Sequence, residues 1–214
     1  TNGTGTTSYD ASNGKFYSTG TGRLYMQGSN AQNLGSFESS GVNLYIDKST
    51  GTVSANGYIY CNYVYLGLAS NSTQLGRIII DNETLKTRYR WYLYNGEIRV
   101  SGTGLMHCSH NSSSAMYIYA GAILDVDGGE VRIGDMSNDL YSDINMNGGT
   151  IDISGGTVNI CNELDVNATA SNTITIAGGT LNIGTYTGTG STNVHSFDMD
   201  AGTLNLTGGT INIK

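Results

Sequence analysis

Tyrosine and arginine are the residues of this chain whose spacing first offers chemistry. Leu24-Tyr25-Met26, Leu44-Tyr45-Ile46 and Val64-Tyr65-Leu66 repeat one apolar–Tyr–apolar triplet at intervals of 20 residues. Successive side chains on a strand point to opposite faces, so each apolar pair faces inward and Tyr25, Tyr45 and Tyr65 face out in a column. Tyr58, Tyr60 and Tyr63 lie close by, and Arg88, Arg90, Tyr92 and Tyr94 alternate along a second segment, opposite Tyr89, Trp91 and Leu93. A tyrosine ring has a broad apolar face and a polar tip. Stacked rings with guanidinium groups beside them therefore suit like-on-like support between strands, burial against another subunit, or contact with sugar rings.

The remaining chemistry-bearing groups are less convergent. Asp125, Asp127 and Glu130 bracket Gly128-Gly129, with Asp135, Asp139 and Asp143 following. Oxygen ligands around a glycine turn fit Ca²⁺, but the spacing matches neither an EF-hand loop nor a glycine-rich calcium repeat. Two carboxylates on one groove hydrolyse glycosidic bonds, for which Asp81, Glu83, Asp125 and Asp127 are present; no catalytic residue is assigned. His107-Cys108-Ser109-His110 puts its histidines on opposite faces of a strand, lacks a third metal ligand, and has no acid to complete a triad. Cys61, Cys108 and Cys161 are odd in number and widely spaced, which fits small buried residues and not a disulfide framework or a zinc site. Among the Asn-x-Ser/Thr sequons, Asn71 and Asn111 sit in loop-like sequence and are the better glycosylation candidates.

The elements that hold these side chains are strands joined by glycine corners. Gly156-Thr157-Val158-Asn159-Ile160, Gly179-Thr180-Leu181-Asn182-Ile183 and Gly202-Thr203-Leu204-Asn205-Leu206 lie 23 residues apart, preceded by Ile151/Ile153, Ile174/Ile176 and Phe197/Met199. A fixed period in this range marks a repeat architecture. Alternating apolar residues make each unit strand and turn, with Asn159, Asn182 and Asn205 outward. A step of seven from Gly149-Thr150-Ile151 to Gly156-Thr157-Val158 reads as one side of a coil. Leu164/Val166 has no clean counterpart one coil on, where 185–193 reads as a loop.

The expected fold is all-β: a single parallel β-helix (β-solenoid) over 1–214, with tyrosine coils at 1–69, irregular coils at 70–145 and regular coils at 146–214. About ten coils of 20–23 residues, each rising about 4.8 Å, give a rod on the order of 45–50 Å long. Zero proline fits strands that use every backbone N–H in a ladder. A β-sandwich is the alternative, but it does not require equal spacing of near-identical triplets.

Composition narrows the partners. The net charge of −7 argues against nucleic acid, because neutralising phosphate needs a basic face. No apolar run is long enough for a membrane-spanning helix. Only 13% of residues are charged, so a surface rich in Asn, Thr, Ser and Gly is neutral and hydrogen-bonding, as in extracellular fibres and glycan-contacting proteins. The chain opens without Met and without a basic, apolar leader, and is expected to be a mature or excised product.

The Gly-Gly-Thr units of 147–214 resemble the repeat regions of bacterial cell-surface and autotransporter-type adhesins; the tyrosine triplets resemble them more loosely. The resemblance implies a right-handed parallel β-helix with an extracellular surface or fibre role, and it implies no catalytic residue. The repeat is still running at Thr210-Ile211-Asn212-Ile213-Lys214. Leu204, Leu206, Ile211 and Ile213 are therefore expected on a coil edge that either continues in a longer protein or stacks on the first coil of another subunit. Such head-to-tail contact does not close and builds a filament. The expected function is a non-enzymatic structural subunit of a surface fibre that self-associates, with no cofactor unless Ca²⁺ binds at Asp125, Asp127 and Glu130. The alternatives are a glycan-binding adhesin or receptor-binding module using Tyr25, Tyr45, Tyr65, Arg88, Arg90, Tyr92 and Tyr94 against a host or cell surface, and then a tailspike-like or lyase-like polysaccharide-degrading enzyme. Ice binding is disfavoured, since Thr157, Thr180 and Thr203 are single corner residues and not a flat Thr-x-Thr face.

Overall fold

Apolar residues at every second position make strands that bury one face, and here the strands stack in parallel around one core. The computed structural model describes the backbone of 7–10 and 15–18 and all atoms of 22–67, 76–109, 115–135, 142–168, 171–185 and 196–214. Asn71, Asn111, His110 and Asp139 lie outside the described residues, as does most of the expected loop at 185–193.

Three stacks of parallel strands form the molecule. The first face contains β8 (Gly76–Asp81), β11 (Gly96–Ser101), β14 (Ala122–Val126), β17 (Thr150–Ile153), β20 (Thr173–Ile176) and β23 (Thr203–Leu206). The second contains β9 (Thr84–Thr87), β12 (Leu105–Cys108), β15 (Glu130–Ile133), β18 (Thr157–Ile160), β21 (Thr180–Ile183) and β24 (Thr210–Ile213). The third contains β3 (Gly22–Gly28), β5 (Val42–Lys48), β7 (Tyr63–Leu66), β10 (Trp91–Leu93), β13 (Met116–Tyr119), β16 (Ile144–Asn147), β19 (Leu164–Val166) and β22 (Phe197–Met199). The chain visits the faces in turn, which is the winding of a parallel β-helix.

The N-terminal coils are simpler. There β4 (Gln32–Glu38) and β6 (Val53–Cys61) are long strands that serve both the first and second faces. The nine-residue β6 pairs with β8 through Val53 and Ser54, and with β9 through Ile59, Tyr60 and Cys61. One strand thus gives way to two, with Asn82 in the left-handed region at the new corner (φ 57°). At the start, β1 (Thr7–Asp10) and β2 (Lys15–Ser18) form an antiparallel hairpin, and β2 touches β4 through Phe16 and Phe37. This hairpin occupies part of the N-terminal edge that head-to-tail stacking would use.

The inward side chains form one continuous core. Leu44, Val64, Trp91, Met116, Ile144 and Leu164 lie in register and are fully buried. Buried polar groups in it are paired, as their desolvation demands. Trp91 Nε1 donates to Thr87 Oγ1 (2.9 Å), which donates to the Tyr89 carbonyl (3.0 Å). The fully buried Lys48 ammonium donates to the carbonyls of Asn30 (2.5 Å) and Gln27 (3.4 Å) and to Gln32 Oε1 (2.8 Å). Cys61, Cys108 and Cys161 are buried free thiols, and burial pushes the Cys61 thiol up.

The register corrects the expected period in three places. The third face is eight strands deep among the described residues, not about ten, so it runs about 35 Å from first to last strand. The coil is not constant: Tyr25 to Tyr45 to Tyr65 steps by 20, but Tyr65 to Tyr92 takes 27 and Asp165 to Asp198 takes 33. Extra residues fall between β12 and β13, β15 and β16, and β21 and β22, all at the corner from second to third face, and between β7 and β8. Finally, the 23-residue echo slips from one face to another. Gly156 and Gly179 turn the corner between first and second faces (φ 64° and 65°), whereas Gly202 turns the corner from third to first. Consequently Thr180 pairs with Thr210, Asn182 with Asn212, and Thr173 with Thr203. Phe197/Met199 is the partner of Leu164/Val166, which sequence spacing alone leaves unmatched. Both corners bear a Gly-Thr step because both need a residue without Cβ where successive coils touch: a Cβ on Gly179 would lie 2.6 Å from the Gly155 carbonyl oxygen.

The same contact predicts a selective glycine effect. At Gly96 (φ 105°) a Cβ would overlap the Gly76 carbonyl, whereas at Gly35 it would meet nothing within 4 Å. Gly96→Ala is expected to cost roughly 3 kcal/mol or more and Gly35→Ala less than about 0.5 kcal/mol in urea unfolding. Equal costs at the two sites would refute the close-packed corner.

Candidate functional site

The outer side of the third face carries the aromatic column. Tyr25, Tyr45, Tyr65, Tyr92 and Tyr117 occupy one register position on five successive strands. Their rings stack face to face with centroids 4.8, 4.5, 5.2 and 5.2 Å apart. The spacing follows from the strand separation of about 4.8 Å, which places each ring at stacking distance from the next. Tyr94 and Tyr119 form a shorter parallel column (4.9 Å), and Tyr63 joins it to Tyr89 (5.2 Å) on the other side. Burial, then the neighbouring phenols, pushes the Tyr65 hydroxyl well above the usual phenol range.

Arginines edge this strip. Arg23 Nη1 donates to the Tyr25 hydroxyl (3.4 Å) and its guanidinium lies 5.7 Å from the Tyr45 ring centroid. Arg90 Nη1 reaches the Tyr92 hydroxyl (3.5 Å), and Arg88 lies over Tyr89 (5.1 Å). One expectation is corrected here. Residues 85–94 are not a single alternating strand, because the chain turns between β9 and β10. Trp91 and Leu93 point inward, but Tyr89 lies at the outer surface with Tyr63. Tyr58 and Tyr60 belong to β6 and not to this strip.

Beyond Tyr117 the same register position becomes polar: Asn145, Asp165 and Asp198 follow in order. Asp143, Glu163 and Asp200 flank them. Burial pushes the Asp143 carboxyl up to about 6, although Asn162 Nδ2 (2.7 Å) and the Glu163 amide (3.1 Å) donate to it. Asp165 is also raised, by burial first and then by Glu163, Asp198 and Asp200. This acidic end was not anticipated as a group. Its signal lay in the continuation of the tyrosine register, hidden by coils of unequal length.

The other candidates separate. Asp125 and Asp127 lie at the end of the first face and both pair with Arg99, Asp125 at 3.5 Å. Burial raises the Asp125 carboxyl against that pairing. Ser154 Oγ also donates to Asp127 (2.7 Å). Glu130 begins a strand of the second face, where the Arg132 guanidinium (2.6 Å) holds its carboxyl below the usual range. Among the described residues no three His, Cys, Asp or Glu side chains gather closely enough to hold a metal ion. Asp81 accepts from Ser101 Oγ (3.0 Å) and Glu83 sits at the neighbouring corner. His107 Nε2 lies 3.2 Å from the Gly134 carbonyl, and burial lowers its pKa, while Cys108 points into the core. A shallow groove of about 500 Å³ runs along the corner between third and first faces, floored by Gly51, Gly76, Gly96 and Gly121.

On the second face, outward asparagines make a ladder. Asn182 Nδ2 donates to Asn159 Oδ1 (2.8 Å), Asn212 Nδ2 to Asn182 Oδ1 (2.8 Å), and Asn159 Nδ2 to Glu130 Oε1 (2.7 Å). Asn205, expected in this column, lies on the first face beside Thr175. At the last coil Leu204, Leu206 and Ile213 are exposed (39%, 54% and 53%), while Ile211 packs partly on the core.

The fold and these outer columns define a parallel β-helix whose outward side chains stack coil on coil. Comparison with known proteins finds no matching family model, no similar curated protein and no similar solved structure.

Two measurements test this geometry. Asn182→Ala removes one ladder donor and one acceptor and is expected to cost about 1–2 kcal/mol, with faster amide exchange in β18, β21 and β24. Unchanged protection in those strands would count against the ladder. For Asp143, a pKa raised in the folded state means that folding favours the protonated carboxyl. Its contribution to stability is present at acid pH and is lost as pH rises from about 4 to about 6. Asp143→Asn should stabilise the protein above pH 6 and flatten its melting temperature across that window; a melting profile identical to wild type from pH 4 to 8 would sink the assignment.

Proposed function

We propose that the protein is a non-enzymatic structural β-helix, a rod segment of an extracellular fibre or stalk. The observation that carries this reading is how the outward side chains are used. On the first face Arg77 pairs with Glu97 one coil on (3.0 Å); on the second the asparagine ladder ties four levels together; on the third the tyrosines do so over five. These contacts all run along the rod axis, in parallel with the backbone ladders, and they suit a load-bearing element. The edge formed by β22, β23 and β24 accepts one more coil, with Leu204, Leu206, Ile211 and Ile213 beneath it. That coil extends the same rod whether the same polypeptide or a neighbouring subunit supplies it.

A second reading, a glycan-binding adhesin, is favoured by one feature: five half-exposed or exposed tyrosines whose hydroxyls line a strip edged by arginine. Imaging and binding separate the two. Negative-stain micrographs of the purified chain should show rods, and growth of those rods with concentration should be blocked by Leu206→Lys with Ile213→Lys. Rods that never lengthen would assign the edge to further coils of one polypeptide. Compact particles, breakdown products from a polysaccharide panel, or glycan-array binding lost in Arg88→Ala/Arg90→Ala/Tyr92→Ala with the fold intact would overturn the structural reading.

A further inference from the structure

The third face is divided by charge along its length. Its first five levels place Arg23, Arg88 and Arg90 among stacked tyrosines. Its last three levels carry Glu163, Asp165, Asp198 and Asp200 and, among the described residues, no basic side chain. Asparagines lie where the halves meet, at Asn145 and Asn147 on β16. The acidic end is held at a cost, since burial and the adjacent carboxylates both raise Asp165. The aromatic end is flat, because ring stacking at the strand spacing aligns the tyrosines in one plane of contact.

We propose that two copies of this chain pair side by side through the third face, antiparallel, with the tyrosine–arginine half of each against the carboxylate half of the other. The charge order selects both partner and orientation. A two-fold axis across the face brings every arginine-bearing level opposite an acidic one in both directions, so the patch is complementary to itself. Parallel pairing would set arginine on arginine and carboxylate on carboxylate, which like-charge repulsion forbids. An unrelated basic partner would answer only the acidic half and leave the aromatic half uncovered. Tyrosine suits the role, offering large area with a hydroxyl that bonds water when apart and the partner when joined. This pairing is lateral, and it is independent of how the rod grows at its end.

The face is about 35 Å long and about 13 Å wide, hence roughly 450 Å² per copy, which lies below the usual range for specific complexes. The dimer is therefore weak, with a dissociation constant on the order of 10 µM or more, and it is sensitive to salt.

Sedimentation equilibrium from 5 to 200 µM tests the proposal. At low salt a monomer–dimer equilibrium is expected, weakened at least tenfold by 0.5 M NaCl. Arg88→Glu/Arg90→Glu should abolish self-association, and so should Asp165→Lys/Asp198→Lys, each with an unchanged circular dichroism spectrum. Mixing these two variants should restore a heterodimer, because reversed charges then meet reversed charges and the remaining halves still match. A chain monomeric at 200 µM in low salt, a dimer indifferent to both reversals, or a mixture that stays monomeric would overturn lateral pairing. Assemblies that lengthen with concentration but ignore both charge reversals would overturn it too, while leaving the rod reading standing.

Discussion

One constraint governs the molecule: each coil must sit on the last at one strand spacing, in register. Backbone hydrogen bonding fixes the rise at about 4.8 Å, and the side chains have to live with that distance. Tyrosine rings meet at 4.5 to 5.2 Å, near the separation at which flat rings stack. Asparagine amides bridge the same gap with bonds of 2.8 Å. Glycine is required at the corners because a backbone there presses directly on the backbone below. Core, corners and outer ladders are three answers to a single spacing.

That spacing also explains what was legible in the sequence. Tyr25, Tyr45 and Tyr65 could be read as a column because two consecutive coils have equal length. Tyr92 and Tyr117 continue the column, yet coils of 27 and 25 residues break the period that would reveal them. The Gly-Thr echo misled in a different way. Two corners impose the same demand for a residue without Cβ, so they carry the same short motif, and sequence spacing cannot say which corner is being turned. Thus Gly202 looked like the successor of Gly179, whereas Gly209 holds that place. Ion pairs such as Arg99 with Asp125 are 26 positions apart and became visible only with the register in hand.

The three faces differ in how they use outward positions. The first relies on opposite charges in adjacent coils, the second on amides that both donate and accept, and the third on aromatic rings that give way to carboxylates. Amides and rings can repeat indefinitely, because each copy satisfies the next. Carboxylates cannot, and the raised pKa values of Asp143 and Asp165 record the repulsion that follows when acids gather on one face.

The uneven connections between second and third faces carry a broader implication. From β18 to β19 the chain crosses that corner in a few residues, and from β21 to β22 it takes many more, yet the strands on either side remain paired without a shift. Contour length is thereby uncoupled from rise. A gene of this design can gain or lose a whole coil, or lengthen a single crossing, and the frame of the ladder survives; the rod is adjustable in quanta of one strand spacing, and variation in sequence length need leave no trace in its architecture.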